Sequence, residues 1–395
     1  MLKIHDNIKN EVEKERDYII SLRRYFHSMP ELPREEYETA AKIEEELRSF
    51  GLETRRVGET GVYSEIEGKT GGRTLILRSD IDALPVKEEH ECSYKSKKDG
   101  IMHACGHDGH TASLLASAKI LAKHRDSFPG KIKLCFQQAE EIGYGARVFI
   151  EEGLVTGDRC FGFHLASNIP VGKISATAGP NNASVDFLRI KIHGKGAHVS
   201  TPERGIDALY IASQIVVALQ ALVTRRTNPT DSVLIGIGKI TAGTSYNVVA
   251  QEAELEGTIR VMYPEIRERM KKEFEDLVFS TARIYGGSAD VEYVDFTSPL
   301  INPVDTTKEV AKVAREIVGD DNVIENRPYS LGGDDFAEFI LKVPGTYAYI
   351  GSGNKDRAET LVAHHDSHFD IDEEALVIGS KLEVLYALEY LNGEL

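Results

Sequence analysis

Hydrophobic and polar positions change their rhythm several times along this chain. Over residues 2–50 charges alternate with Ile, Leu, Tyr and Phe at helical spacing, which predicts two amphipathic scaffold helices broken at Met29-Pro30-Glu31-Leu32-Pro33. Residues 74–85 form an apolar run typical of a strand buried on both faces, and its exit carries Asp80 and Asp82. Residues 111–124 place Leu114, Leu115, Ala118, Leu121 and Ala122 on one helical face, as a helix packed on a sheet does. Strands follow at residues 131–138, running into Glu140-Glu141, and at residues 159–164, ending in His164. Three strand exits thus carry chemistry-bearing side chains, and in open α/β sheets function gathers at the carboxyl ends of strands.

From about Ser184 the texture changes to half-buried alternation at residues 185–192 and 252–261, with helical stretches at 206–222 and 265–285. That order predicts a small α+β module with an antiparallel sheet, inserted into the larger domain. Near Thr297 the α/β texture resumes, with a helix at 306–318, a strand at 345–350 and a closing helix at 373–390. The expected organisation is a discontinuous domain of residues 1–183 and 298–395 around an inserted domain of residues 184–297.

At 395 residues the chain exceeds the size at which a single core usually stops growing, about 250–300 residues, which agrees with two domains. Lys and Arg number 47 against 63 Asp and Glu, and the resulting net charge of −16 repels phosphate backbones, so nucleic acid is not an expected partner. The N-terminus lacks the apolar run of a signal peptide. The longest apolar stretch, residues 208–223, is interrupted by Ser213, Gln214 and Gln220 and falls short of the roughly 20 residues that span a bilayer. A cytoplasmic protein with no membrane partner is the expectation, and four scattered cysteines (Cys92, Cys105, Cys135, Cys160) agree with a reducing compartment.

The densest chemistry lies in Met102-His103-Ala104-Cys105-Gly106-His107-Asp108-Gly109-His110-Thr111-Ala112. Cys105 and His107 are two residues apart, so a turning backbone lets both heads converge, and sulfur beside imidazole suits Zn or a neighbouring first-row metal. A second cluster, His364-His365-Asp366-Ser367-His368, brings to six of 13 the histidines held in two short stretches. Cys105, His107, one of Glu140 and Glu141, His164, and His364 or His365 would suffice for two metal ions. Adjacent glutamates point in different directions, so one can bind metal while the other handles protons.

Six strings carry a family resemblance: Asp80-Ile81-Asp82-Ala83-Leu84-Pro85, the 102–112 stretch, Gln137-Gln138-Ala139-Glu140-Glu141, Gly196-Ala197-His198, Gly332-Gly333-Asp334-Asp335-Phe336, and residues 365–374. Together they resemble the amidohydrolase branch of the aminoacylase and carboxypeptidase G metallopeptidases, relatives of hippurate hydrolases, N-acetyl-amino-acid amidohydrolases and indoleacetyl-amino-acid hydrolases. The resemblance implies an α/β metallopeptidase-like catalytic domain with a mixed, mostly parallel sheet, and an inserted α+β lid and dimerisation domain. It implies metal ligands at Cys105, His107, Glu141, His164 and His365, the last in preference to His364, with Glu140 as general base and Asp80 and Asp82 in support. The cofactors are two divalent ions, Zn, Mn or Co. In the lid, His198 matches a histidine that reaches the partner subunit's site to steady the oxyanion. Asn247, Arg260 and Gly333 are expected at the substrate, Arg260 and Asn247 holding its carboxylate. Cys105, where the carboxypeptidase branch has an acid, marks the amidohydrolase branch. Val199 and Gln138 depart from the family pattern and are expected to reshape the pocket.

These readings converge on a homodimeric metal-dependent enzyme that cleaves the amide bond of a small N-acyl amino acid. A dipeptidase or carboxypeptidase of the same fold is one alternative, and a non-catalytic metal- or ligand-binding homologue is another. Retention of Glu140 argues against the last, since a dead site has no need of a base.

Overall fold

The computed structural model describes residues 2–395, which divide into two compact units: residues 2–179, Ile301–Pro328 and Asp334–Leu395 form one, and Pro180–Leu300 with Tyr329–Gly333 the other. In chain order the first unit begins with α1 (Leu2–Lys14), α2 (Arg16–Ser28) and α3 (Tyr37–Ser49), then β1 (Thr54–Val57), β2 (Gly61–Glu67), β3 (Lys69–Asp80) and α4 (His107–Lys123). It continues with β4 (Pro129–Gln137), α5 (Gly145–Glu151), β5 (Arg159–Pro170) and β6 (Ile174–Ser175), and β7 (Gly179–Asn182) leads into the second unit. The second unit contributes β8 (Val185–His193), α6 (Ala208–Ala221), β9 (Val233–Ala242), β10 (Glu252–Val261), α7 (Pro264–Ile284) and β11 (Ser288–Thr297). The chain returns through β12 (Leu300–Asn302), α8 (Val304–Val318), β13 (Val323–Ile324), α9 (Phe336–Lys342), β14 (Gly345–Gly353) and α10 (Glu374–Leu391).

The first unit is built on an eight-stranded mixed sheet in the order β1-β2-β4-β3-β5-β14-β6-β13, whose central strands β4, β3, β5 and β14 are parallel. Side chains alternate between the faces of β3. Leu75 and Leu77 join the core beneath α4 and α10, while Arg78 points the other way, its guanidinium 5.8 Å from the Phe336 ring on α9. Both α4 and α10 are buried almost all round, hence their lack of a polar face. The parallel registers pair Asp80 with Gln137 and Tyr349 with His164, so the strand exits line up at one edge.

Two sequence expectations need correcting here. The N-terminal 50 residues form three helices, not two. The extra break falls at Glu15, where no breaker stands; α1 and α2 each pack on α4 and α10, and a one-residue bend leaves the helical periodicity nearly intact. The helix expected from residue 111 begins at His107, because the left-handed Gly106 (φ 92°) turns the chain directly into it.

In the second unit four antiparallel strands, in the order β11-β8-β10-β9, pack one face on α6 and α7. Leu188, Ile190, Ile192, Leu255, Met270 and Phe274 fill this core. The other face is wet: Arg189 pairs with Glu256 and Glu292 at 3.3 and 3.0 Å. A π-helical turn extends α6, giving a helical run of 19 residues, Ala208–Arg226, long and apolar enough to cross a membrane by composition. That run is longer than the interrupted sequence suggests, and one of its faces, Ile211, Ala212, Ile215, Leu219 and Leu222, lies in the core of this unit. All four cysteines are free thiols.

Candidate metal centre

Four loops at the strand exits of the first unit build the site. The loop after β3 carries Asp82 and is tied to the 102–106 loop by a Leu84–Met102 bridge. His365, in the left-handed region at φ 69°, donates its backbone N–H to the Ala104 carbonyl at 2.8 Å, bringing the second histidine cluster onto the first. Glu140 and Glu141 follow β4 in a short 3₁₀ turn. His164 stands in β5 and donates Nδ1–H to the Leu165 carbonyl at 2.6 Å, leaving Nε2 as a ligand atom.

These loops bring Cys105, His107, Glu141, His164 and His365 together. Cys105 Sγ lies 3.4 Å from His164 Nε2, and His365 Nε2 lies 3.4 Å from Glu141 Oε1. Their donor atoms form overlapping triplets within 4.8 Å: Cys105 with His107 and His164, Cys105 with Glu141 and His365, and His107 with Glu140 and Glu141. His364, by contrast, packs its ring 5.0 Å from that of His164 and 4.8 Å from that of Phe369, and burial pulls it down to about 4.

The residues fit divalent cations on the evidence of one atom. His107 donates Nδ1–H to the Asp82 carbonyl at 2.9 Å, which leaves Nε2 fully buried with no hydrogen-bond partner. Around that nitrogen stand Asp80 Oδ2 at 3.8 Å and Glu140 Oε2 and Glu141 Oε1 at 3.9 Å each. Burial alone would lower the basicity of His107, but Asp80, Asp82 and Glu141 outweigh it and hold the ring near 10. A proton trapped between lone pairs at these spacings is where a cation belongs. Burial and the neighbouring Glu141 and Glu140 push the Cys105 thiol well up. The same carboxylates that oppose a bare thiolate would share a cation with it.

Behind these donor atoms lies a buried charge network centred on Arg78. Its guanidinium donates to Asp80 at 2.7 Å, Asp335 at 2.9 Å and the Gln137 side chain at 2.9 Å, and lies 3.5 Å from Asp334. Asp80 in turn meets His110 Nδ1 at 2.6 Å, and His110 Nε2 accepts the Leu165 N–H at 3.0 Å. The carboxylates of Glu140, Asp334 and Asp335 lie within 4.8 Å of one another. Burial, then Asp334 and Glu141, raise Glu140 well above the ordinary carboxylate range, as suits a proton-handling group. Sequence reasoning assigned no role to Asp334, Asp335 or Arg78. The adjacent acids of Gly332-Gly333-Asp334-Asp335 were the available signal, but only the fold sets them against Glu140.

Gln138 does not face this site. Its side chain is buried against the β1–β2 turn, where Nε2 donates to the Val57 carbonyl at 3.3 Å and a Cβ on Gly61 would stand 2.2 Å from Oε1. It shapes scaffold, contrary to expectation.

In the second unit His198 and Asn247 are neighbours on exposed backbone: the Val199 N–H donates to the Asn247 carbonyl at 3.1 Å. His198 Nδ1 accepts from the Ser200 N–H at 3.1 Å, which places its proton on Nε2, free to donate outward. Val199 beside it is exposed. Arg260 gives Nη1–H to the Leu331 carbonyl at 2.8 Å. Gly333 has a packing reason to lack a side chain, since its Cβ would come within 2.5 Å of Val185 and 2.8 Å of Thr297.

Residues 76–389 match the family model described as peptidase family M20/M25/M40. The chain is 38% identical over 393 residues to thermostable carboxypeptidase 1 of Saccharolobus solfataricus, covering 98% of this chain and 99% of that one. It is 40% identical over 365 residues to the N-acetyl-L-cysteine deacetylase of Bacillus subtilis, covering 92% and 85%. Among solved structures, the YXEP protein of Bacillus subtilis, described as a dinuclear metal binding peptidase from the M20 family, superposes with a TM-score of 0.82 at 33% identity, covering 96% and 99%.

Proposed function

This chain belongs to the M20/M25/M40 peptidase family, and within it we propose that the enzyme hydrolyses the amide bond of N-acyl amino acids, releasing the amino acid and a carboxylic acid. It is a metal-dependent amidohydrolase that uses two divalent ions. Cys105, His107, Glu141, His164 and His365 would hold them. When bound, the ions supply Lewis acidity at the scissile carbonyl and acidify water near neutral pH. Glu140 takes the water proton and passes it to the leaving nitrogen, a task for which its raised basicity is matched. Asp82 fixes the His107 tautomer through its carbonyl, and Asp80 orients His110. His198 offers Nε2–H to the developing oxyanion, and Arg260 with Asn247 takes the substrate carboxylate. The lid module makes the working form a homodimer, and the enzyme acts in the cytoplasm.

The observation that carries this reading is the partnerless His107 Nε2, set among three carboxylates beside a thiol and two further imidazoles. The deacetylase relative supports an N-acyl amino acid as substrate. A second reading, carboxypeptidase action on peptides, is favoured by the relative of that name, which matches nearly end to end. The test is release of free amino acid from N-acetyl, N-benzoyl and dipeptide substrates by chelator-stripped protein refilled with Mn, Zn or Co. Turnover restored by metal and greatest on the N-acyl compounds is expected. Faster cleavage of the peptides would establish the second reading, and no turnover on any substrate would favour a binding protein.

A further inference from the structure

The proline-rich break between α2 and α3 grips two of the loops that carry acidic site residues, those after β3 and β4. The Glu31 carbonyl accepts the Ala83 N–H at 2.8 Å, next to Asp82. The buried Glu36 carboxylate accepts the Ala139 N–H through Oε1 at 2.8 Å, and its Oε2 accepts the Thr60 hydroxyl at 2.6 Å. Arg34, itself left-handed at φ 70°, lays its guanidinium 4.8 Å from the ring of Tyr144 at the far end of the same loop.

That loop needs holding. Ala139 sits at φ 54° and ψ 42°, a conformation that crowds any residue with a Cβ, and Glu140 and Glu141 follow it directly. The loop then closes tightly: the Tyr144 N–H donates to the Ala139 carbonyl at 3.1 Å, and a Cβ on Gly145 would stand 1.7 Å from the Gln138 carbonyl. Two further carboxylates pin its backbone, Asp82 at the Glu141 N–H (3.0 Å) and Asp335 at the Ala146 N–H (3.1 Å). Both of those acids also belong to the site's own network. Glu36 spends its oxygens on the Ala139 backbone and on Thr60, so its part in the site is exerted through the loop.

We propose that Glu36 is a positioning residue: by holding Ala139 in the left-handed conformation it aims Glu140 and Glu141 at the metal centre. The activity arm of the test rests on the hydrolase reading above; the metal arm does not. Chelator-stripped protein is titrated with Co(II) and followed by visible absorption, alongside kcat, KM and thermal melting on the best N-acyl substrate. Glu36→Ala is expected to weaken Co(II) binding and lower kcat, each by about tenfold, the size of the left-handed penalty, with KM within about twofold. Glu36→Gln keeps the acceptor and stays within about threefold of the parent. Ala139→Gly placed in the Glu36→Ala background recovers most of both losses, because glycine adopts this conformation without a Cβ clash. A purely structural role would move the melting temperature without that recovery. Parent-like Co(II) affinity and kcat in Glu36→Ala, or no recovery from glycine in a folded double variant, overturns the proposal. Should Glu36→Ala not fold, Glu36→Asp, a methylene too short to span Ala139 and Thr60, replaces it, and behaviour equal to Glu36→Gln counts against the idea. Absence of turnover in the parent itself would sink the hydrolase reading alone, leaving Co(II) binding to decide the role of Glu36.

Discussion

In the eight-stranded sheet β14 is buried along all nine residues, whereas in the four-stranded sheet β11 has a single buried residue, at its end, and is otherwise exposed or half-buried. The first sheet, covered on both faces, can hold charges only where each meets a partner, and Arg78 with its carboxylates is that arrangement. The second leaves one face to water, where Arg189 and its glutamates pair across strands with solvent around them. The same residue types therefore carry different weight. On the covered sheet a buried ionisable side chain such as Arg78 shifts the pKa values of the carboxylates it touches; on the wet face of the second sheet a pair such as Arg189 with Glu256 is screened by solvent.

The sharpest way to break this comparison is at the strand exits. Glu140→Gln is expected to lower kcat by about 10³-fold while metal content stays at two per chain, and Cys105→Ala to lose metal with the activity. Mass-spectrometric metal counts beside kcat decide this, and equal metal loss in both variants would undo the division of roles. Next in size, Arg78→Met leaves Asp80 and Asp335 buried without their cation and should destabilise urea unfolding by roughly 3–5 kcal/mol. A third effect concerns Glu383 on α10, buried with the Ser117 hydroxyl of α4 at 2.6 Å; burial raises it to about 8. Because the folded state holds this proton more tightly than the unfolded chain, the associated stability is fully present below about 4.5 and is lost as pH rises through about 8. Glu383→Gln should flatten that decline and be the more stable form at pH 9 in thermal melts. The smallest expected effect is Arg189→Ala on the wet sheet, a urea midpoint close to that of the parent and a difference weaker still in high salt. A loss there as large as that of Arg78→Met would show that charges on the two sheets carry equal weight.

Much of the first unit is legible because its signals are local. Apolar runs bounded by acids mark β3 and β4, and a thiol and imidazole two residues apart mark a candidate ligand pair. In the second unit the period-two pattern of β8 and β10 marks a half-wet sheet: β10 spans Glu252–Val261, the bounds its pattern predicts, and α7 ends within a residue of expectation. Gln138 shows the opposite case, since its position beside the glutamates says nothing of a side chain that points away from them.

The sequence by itself determined many of the longer elements, the candidate ligand types and the family resemblance, because hydrophobic period, turn residues and motif spacing act over a few positions. Only the tertiary structure decided which charges meet. Arg78 touches Asp335 across 257 residues of chain, Glu36 reaches Ala139 across 103, and His365 closes on Glu141. Such contacts arise from the parallel register of the sheet and the backbone turns at Gly106, Ala139 and His365. No local pattern encodes them, since the conformation of each loop is set by groups distant in sequence that accept its backbone hydrogens.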